Sequence, residues 1–249
     1  MTNWTDQAAP RFARPAPEPR ESGSPTFRVA TFNLHFSNRL ARALEVIRDA
    51  PELAAADLLA LQEADERAVE HLADLLGAGY VYYPAVLHRR TGRNFGPALL
   101  SRWPVMADRK LILPYAGVHG MQRIAVSAAL EVRGQRVDAW AVHFGTMREI
   151  LPHQQAAQAR AVVEASDHEG PAVVAGDLNR KGVGRVFEAA GWHWLTRNIG
   201  RTHLVWSFDH VFVRGFGRGG VTAGSVDAAL TASDHRAVWA ELPLAEHQR

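Results

Sequence analysis

Residues 172–179 read Ala-Val-Val-Ala-Gly-Asp-Leu-Asn. A short apolar run that stops at glycine and hands over to an acid and an amide reads as a buried strand delivering polar side chains to a sheet edge. In an extended segment Asp177 and Asn179 share a face, and Gly176 permits a sharp exit from the strand. One carboxylate and one amide can then converge on a phosphate, Asp177 orienting or deprotonating water and Asn179 donating to a phosphoryl oxygen. A β-turn that happens to use Asp and Asn accounts for the same residues equally simply.

The pattern recurs along the chain. Asn33 stands in Ala-Thr-Phe-Asn-Leu-His, Glu63 ends Leu-Leu-Ala-Leu-Gln-Glu, and His143 follows Ala-Trp-Ala-Val. Asp209 stands in Ser-Phe-Asp-His-Val-Phe-Val, and Asp234 and His235 in Ser-Asp-His-Arg-Ala-Val. These carboxylates, amides and imidazoles suit an oxygen-rich site for a hard cation and a phosphate. A divalent ion such as Mg2+ prefers one or two carboxylates plus water. Glu63 is the first candidate for direct ligation, with Asn33, Asp177, Asn179 and Asp234 completing the shell. His235 is suited to proton transfer or charge stabilisation if Asp209 orients its other ring nitrogen. A surface turn or helix cap at Ser-Asp-His, and an ordinary buried histidine at His143, are the competing accounts.

Between these motifs the periodicity predicts strand, helix, strand, helix over 27–33, 39–49, 57–62 and 66–76, the last on the spacing of Val69, Leu72, Leu75 and Leu76. Extended pieces follow at 80–83, 98–101, 105–113, 124–132 and 136–142, the last two joined as a hairpin at Gly134-Gln135. A helix over 152–166 precedes the strand at 172–175. A short helix at 183–190 and strands near 192–195, 208–213, 220–226 and 236–241 complete the chain. Two strand-rich halves around a central helix fit a two-sheet sandwich flanked by helices.

The chain has 249 residues, 47% hydrophobic and 22% charged, with a formal net charge of +2. That composition supports a large core and one domain over residues 26–249. With no cysteine, thiolate metal sites, disulfides and Cys nucleophiles are excluded. Residues 1–25 carry five prolines and nearly balanced charges, which predicts a flexible arm. There is no signal-like or membrane-length apolar run, so the expectation is a monomeric, cytoplasmic protein.

Taken together and in order, Thr-Phe-Asn-Leu (31–34), Leu-Gln-Glu (61–63), Pro-Ala-Leu-Leu-Ser-Arg-Trp-Pro (97–104), Ala-Val-His-Phe (141–144), Ala-Gly-Asp-Leu-Asn (175–179), Asp-His-Val-Phe-Val (209–213) and Ser-Asp-His-Arg (233–236) resemble the endonuclease/exonuclease/phosphatase superfamily, with its deoxyribonuclease I-like fold. The resemblance implies an α/β fold: a four-layered α/β sandwich of two mixed, mostly antiparallel sheets flanked by helices. It implies phosphoester hydrolysis dependent on Mg2+, with Mn2+ able to substitute. Under it Glu63 resembles the metal-ligating glutamate, Asn33 and Asn179 the phosphate and metal-shell amides, and Asp177 the carboxylate beside the attacking water. Asp234 resembles a further metal-side carboxylate, and His143 and His235 the paired imidazoles on the scissile phosphate. Asp209 resembles the aspartate that orients the second histidine, although Phe-Asp-His replaces the Ile-Asp-Tyr or Leu-Asp-Tyr of many relatives and leaves His210 without a role. Arg123 resembles a site arginine of some relatives, or is a solvent-exposed edge-strand residue.

The reaction type leaves the substrate open. The basic loop of residues 88–95, with Arg89, Arg90 and Arg93 beside Tyr82, Tyr83 and Phe95, could hold a nucleic-acid backbone and stack a base. Nucleic acid is therefore the first expectation. A phospholipid or inositol-phosphate hydrolase is the alternative, with Trp103, Ile150, Leu151 and Trp206 as membrane-facing residues. A catalytically inactive phosphate-binding module is the third reading.

Overall fold

The computed structural model describes residues 1–15, 25–117, 120–166, 169–217 and 219–244. In chain order the first part contains β1 (Thr2–Asn3), β2 (Phe12–Arg14), β3 (Thr26–Asn33), α1 (Leu40–Asp49), α2 (Pro51–Ala54), β4 (Leu58–Ala64) and α3 (Glu66–Leu76). Then come β5 (Gly79–Tyr82), β6 (Val86–His88), β7 (Arg93–Ser101), β8 (Val105–Ile112), β9 (Ile124–Val132) and β10 (Gln135–His143). The last part holds α4 (Pro152–Ala165), β11 (Ala172–Asp177), α5 (Gly184–Ala189), β12 (His193–Trp194), β13 (Asp209–Arg214), β14 (Thr222–Val226) and β15 (Ala237–Pro243).

One sheet runs β1-β6-β7-β4-β3-β15-β14, with β5 also on β7 and β2 on β5; the other runs β12-β13-β11-β10-β9-β8. Alternation along the strands explains the four layers. Val173 and Ala175 point into the core between the sheets, whereas Ala172 and Val174 face the layer under α4 and α5. In the first sheet Val29 faces the inter-sheet core, and Ala30 and Phe32 face α1 and α3. Strands covered on both faces lose the polar half of the usual alternation, which is why 172–175 reads as a continuous apolar run.

Helix α3 begins where Asp65 accepts from the Ala68 amide and ends at Gly77 in the left-handed conformation. The β9–β10 hairpin turns on Arg133 and Gly134, both with positive φ, one residue earlier than expected, because Gln135 pairs with Val132. The expected arm departs further from expectation. Thr2–Asn3 pair with β6 and Phe12–Arg14 with β5, while Arg11 meets Asp108. Free strand edges outbid the ordering entropy of a proline-rich segment that offers Phe12 and backbone hydrogen bonds. The rest of that segment, 16–24, lies outside the described residues. Among the described residues no helix is long and apolar enough to cross a membrane.

What positions the site is a pair of parallel strand pairs. β3 lies parallel to β4 with Asn33 opposite Gln62, and β10 lies parallel to β11 with His143 opposite Asp177. Each pair therefore ends at the same edge of its sheet. Antiparallel β13 starts there, with Asp209 opposite Asp177. A β-carbon at Gly176 would run into the Val142 carbonyl of β10, so only glycine lets the two strands approach this closely.

Candidate active site

At that common edge the Asp177 carboxylate is the hub. Its Oδ1 accepts from the Asn179 backbone amide at 2.7 Å, and its Oδ2 from Asn33 Nδ2 at 3.1 Å. The same Oδ2 lies 3.7 Å from His143 Nε2 and 3.8 Å from His235 Nε2. Those two separations exceed hydrogen-bond length and leave room for a reacting oxygen between acid and imidazoles. Burial and the neighbouring Asp209 carboxylate push the Asp177 carboxyl up to about 6, against the pull of His235.

His235 is pinned from behind, its Nδ1 2.8 Å from Asp209 Oδ2, with both residues buried. Burial opposes the charge on this ring, but Asp209 and then Asp177 overcome it and raise the imidazole to about 10. His143 goes the other way. Burial, the Arg123 guanidinium and His235 hold it well below the ordinary histidine range, so it is neutral. Arg123 Nη1 sits 3.3 Å from both ring nitrogens of His143, a position over the ring face, and its Nη2 donates to Glu149 at 2.9 Å. The edge-strand reading of Arg123 is thus overturned: its side chain is largely enclosed and braces His143.

Glu63 lies in a bulged part of β4 with φ 53°, a left-handed conformation that costs a non-glycine residue about 1–2 kcal/mol. Its Oε1 is 3.9 Å from His143 Nε2, and its carboxylate accepts no hydrogen bond among the described residues. Burial pushes this carboxyl up to about 7, despite Arg123 and His235. A half-buried carboxylate without donors among the described residues, in a site where the buried Asp209 Oδ1 also lacks a hydrogen-bond partner, fits a hard divalent cation. Asp234 stands at the solvent side, its Oδ1 3.6 Å from His35 Nδ1 and its Oδ2 3.3 Å from His203 Nε2. Two sets of ligand-type atoms lie close enough together for one ion, Asp177 with Asp209 and His235, and His203 with Asp234 and His235.

The eight residues Asn33, Glu63, His143, Asp177, Asn179, Asp209, Asp234 and His235 therefore come together. Two amides are already engaged inside the protein. Asn33 donates to Asp177 and accepts from the His35 amide, and Asn179 Nδ2 donates to the Phe144 carbonyl at 3.0 Å. Asn179 also adopts a positive φ of 52°, and His35, Phe36 and Ser37, which follow Asn33 in the chain, have φ of 47°, 57° and 51°. Strained backbone at and beside the two amides accords with a preorganised site.

In the basic loop two of the three arginines have partners inside the protein. Arg93 Nη2 binds Asp65 at 2.6 Å and the Phe36 carbonyl at 3.0 Å, and Arg89 donates to Thr2 Oγ1. Arg90 is exposed. Tyr82, Tyr83 and Phe95 are buried and offer no face to a base. Trp103 and Ile150 are buried too, leaving Leu151 and Trp206 of the four apolar candidates exposed. His210 packs edge-on against Trp194 between Thr196 and Ser207, a core histidine lowered by burial to about 4. Sequence reasoning passed over His35 and His203, the neighbours of Asp234. His35 was visible two residues after Asn33, whereas nothing local marks His203.

Comparison with known proteins agrees with this architecture. Residues 30–235 match the model of the Endonuclease/Exonuclease/phosphatase family. Among solved structures, an endonuclease/exonuclease/phosphatase from Beutenbergia cavernae DSM 12333 superposes with TM-score 0.70 at 23% identity, over 88% of this chain and 72% of that one. Sphingomyelinase C from Streptomyces griseocarneus gives 0.67 at 19% identity over 88% and 100%. The human Nocturnin catalytic domain with bound sulfate gives 0.66 at 16% over 87% and 94%. None of the curated protein sequences compared with the chain matches it.

Proposed function

The chain belongs to the endonuclease/exonuclease/phosphatase family, and from that premise we propose that it hydrolyses phosphodiesters with the help of a divalent cation, Mg2+ or Mn2+. The observation that carries the reading is Asp177 Oδ2, held by Asn33 at 3.1 Å and facing two imidazole nitrogens at 3.7 and 3.8 Å. Glu63, Asp234 and the Asn33 oxygen would hold the cation, which would supply neutralisation of phosphate charge.

The protein's own groups do the rest. Asp177, raised to about 6, takes the proton from water as the new oxygen–phosphorus bond forms. His235, kept charged by Asp209, donates Nε2–H to the phosphoryl oxygen where negative charge accumulates. Neutral His143 offers its Nε2–H from the other side, steadied by Arg123. The bond to the leaving oxygen breaks, and that oxygen recovers a proton from water.

Nucleic acid is the substrate class we favour, on a surface other than the basic loop of residues 88–95. The exposed turn Leu204-Val205-Trp206 favours a second reading, cleavage of a lipid headgroup at a membrane surface. The test of the reaction is metal-dependent release from bis(p-nitrophenyl) phosphate, lost in Asp177→Asn and His235→Ala. Turnover that needs no metal, or that survives both substitutions, rejects it. Plasmid DNA, RNA and phospholipid vesicles compared side by side then choose between the substrates.

A further inference from the structure

We propose that the groove beside Asn179 and Asp209 is a nucleotide subsite, taking the phosphate and base next to the scissile bond of a single-stranded nucleic acid. This rests on the phosphodiester reading of the catalytic centre and names what lies against it.

The groove holds about 500 Å3 and is lined by Met147, Arg180, Lys181, Arg201, Trp206 and Phe208, among others. That space is on the scale of sites for a single small-molecule unit. It adjoins the site through the chain itself, since Arg180 follows Asn179 and Phe208 precedes Asp209. Its cations are gathered in one place without a carboxylate among them. Arg93, Arg123, Arg197 and Arg236 each meet a carboxylate. Arg180 instead donates to the neutral Gln155 amide oxygen, and Lys181 and Arg201 have no carboxylate within ion-pair distance among the described residues. Three positive charges clustered in one groove without a carboxylate among the described residues favour an anion from outside.

The aromatic side supplies the second half of the ligand. Trp206 lies parallel to Phe208, at 4° and 6.3 Å between centroids; Phe208 lies nearly parallel to His203, at 17° and 5.5 Å; and His203 lies 4.5 Å from His235. A stack of rings thus leads from the catalytic histidine to Trp206, which is 50% exposed. An exposed tryptophan beside these cations matches the two parts of a nucleotide, a flat base and a phosphate. A duplex keeps its bases stacked on each other, so the strand that reaches Trp206 is single. A zwitterionic lipid headgroup offers no surplus negative charge to three cations. Leu204 and Val205, 69% and 75% exposed at the tip of the same turn, are the part a membrane would use.

Binding is measured apart from cleavage, with the metal-loaded protein and a fluorescein-labelled phosphorothioate oligothymidylate that resists hydrolysis. Trp206→Leu keeps an apolar tip but removes the stacking face, and binding weakens about tenfold. Trp206→Phe restores most of it. Lys181→Gln with Arg201→Gln lowers the salt dependence of binding by about 0.7 in log–log slope, the share of one phosphate contact on a single strand. The proposal is overturned if Trp206→Leu and the double variant bind like the parent protein. It is equally overturned if the oligonucleotide does not bind while phosphatidylcholine–phosphatidylglycerol vesicles do, and Leu204→Ser with Val205→Ser abolishes that binding. Turnover of bis(p-nitrophenyl) phosphate reports on the reaction separately. Oligonucleotide binding without turnover overturns the hydrolase reading alone, and turnover without oligonucleotide binding overturns the subsite alone.

Discussion

His235 Nδ1 lies 2.8 Å from Asp209 Oδ2, and both groups are buried. The pair is set by topology. Asp209 is the first residue of β13, directly opposite Asp177, and His235 enters just before β15 from the other sheet. An imidazole fixed at Nδ1 has only Nε2 to present, and Nε2 faces Asp177. One hydrogen bond from the start of β13 to the segment leading into β15 of the other sheet therefore sets both the charge and the aim of the proton donor.

Asp209→Asn keeps the shape and removes the charge that holds His235 protonated. The expected result is a fall in kcat of about 100-fold or more, the scale of a mispositioned acid–base group. The affinity for Mn2+ stays near that of the parent protein, because Glu63 and Asp234 are untouched. Steady-state kinetics and calorimetric Mn2+ titration check the two halves.

Glu63→Gln tests the cation directly. In metal-free protein the Glu63 carboxyl sits at about 7 rather than 4.5, so the folded state binds more protons than the unfolded one between those values. Stability therefore falls as pH rises from 4.5 to 7, by up to ~3 kcal/mol. The glutamine variant lacks this slope and melts higher than the parent protein when metal is stripped at pH 8. Adding Mn2+ raises the melting temperature of the parent and leaves the variant nearly unmoved. Melting curves with and without chelator across that pH range decide the matter.

His210 predicts acid sensitivity. Its imidazole is lowered to about 4 by burial, against an ordinary value of 6.5, so the unfolded chain binds more protons between the two. The stability contributed by the neutral ring is present above pH 6.5 and is lost as pH falls toward 4, at a cost of up to ~3 kcal/mol. His210→Gln should flatten that part of the stability curve. Urea unfolding at several pH values between 4 and 7 measures the slope.

Glu149→Ala leaves the Arg123 guanidinium without its carboxylate in a largely enclosed place. A loss of about 3 kcal/mol in stability is expected for breaking a buried pair. Because Arg123 then no longer steadies His143, kcat falls by more than KM changes. Glu149→Asp, which keeps the charge, recovers part of kcat; kinetics and thermal melts on both variants check this.

Much of the frame was legible in the order of residues. Strands at 124–132 and the helix at 66–76 appear where periodicity puts them. The polar residues at strand ends, Asn33 and His143 among them, are where apolar alternation stops. The short pieces were not legible. Thr2–Asn3 and Val86–His88 have too few residues to show a period; Val86–His88 is a strand because it pairs with β7, and Thr2–Asn3 because it takes the edge that Val86–His88 leaves open. The partner of Arg93 was hidden for a similar reason: the string of arginines in 88–95 carries no sign that Asp65, the cap of α3, lies within reach of Arg93.

The sequence by itself determined which side chains end their strands in acid, amide or imidazole, because burial on both sheet faces forces an apolar run and the run must stop where solvent begins. Only the tertiary structure decided which of those ends meet. The bond from Asn33 to Asp177 spans 144 residues, and it forms because two parallel strand pairs, one in each sheet, finish at the same edge. It also decided which cations are satisfied: Arg93 is spent on Asp65, whereas Arg180, Lys181 and Arg201 share a groove in which no acid among the described residues meets them. Charge along a chain counts residues, and only folding says which of those charges neutralise one another.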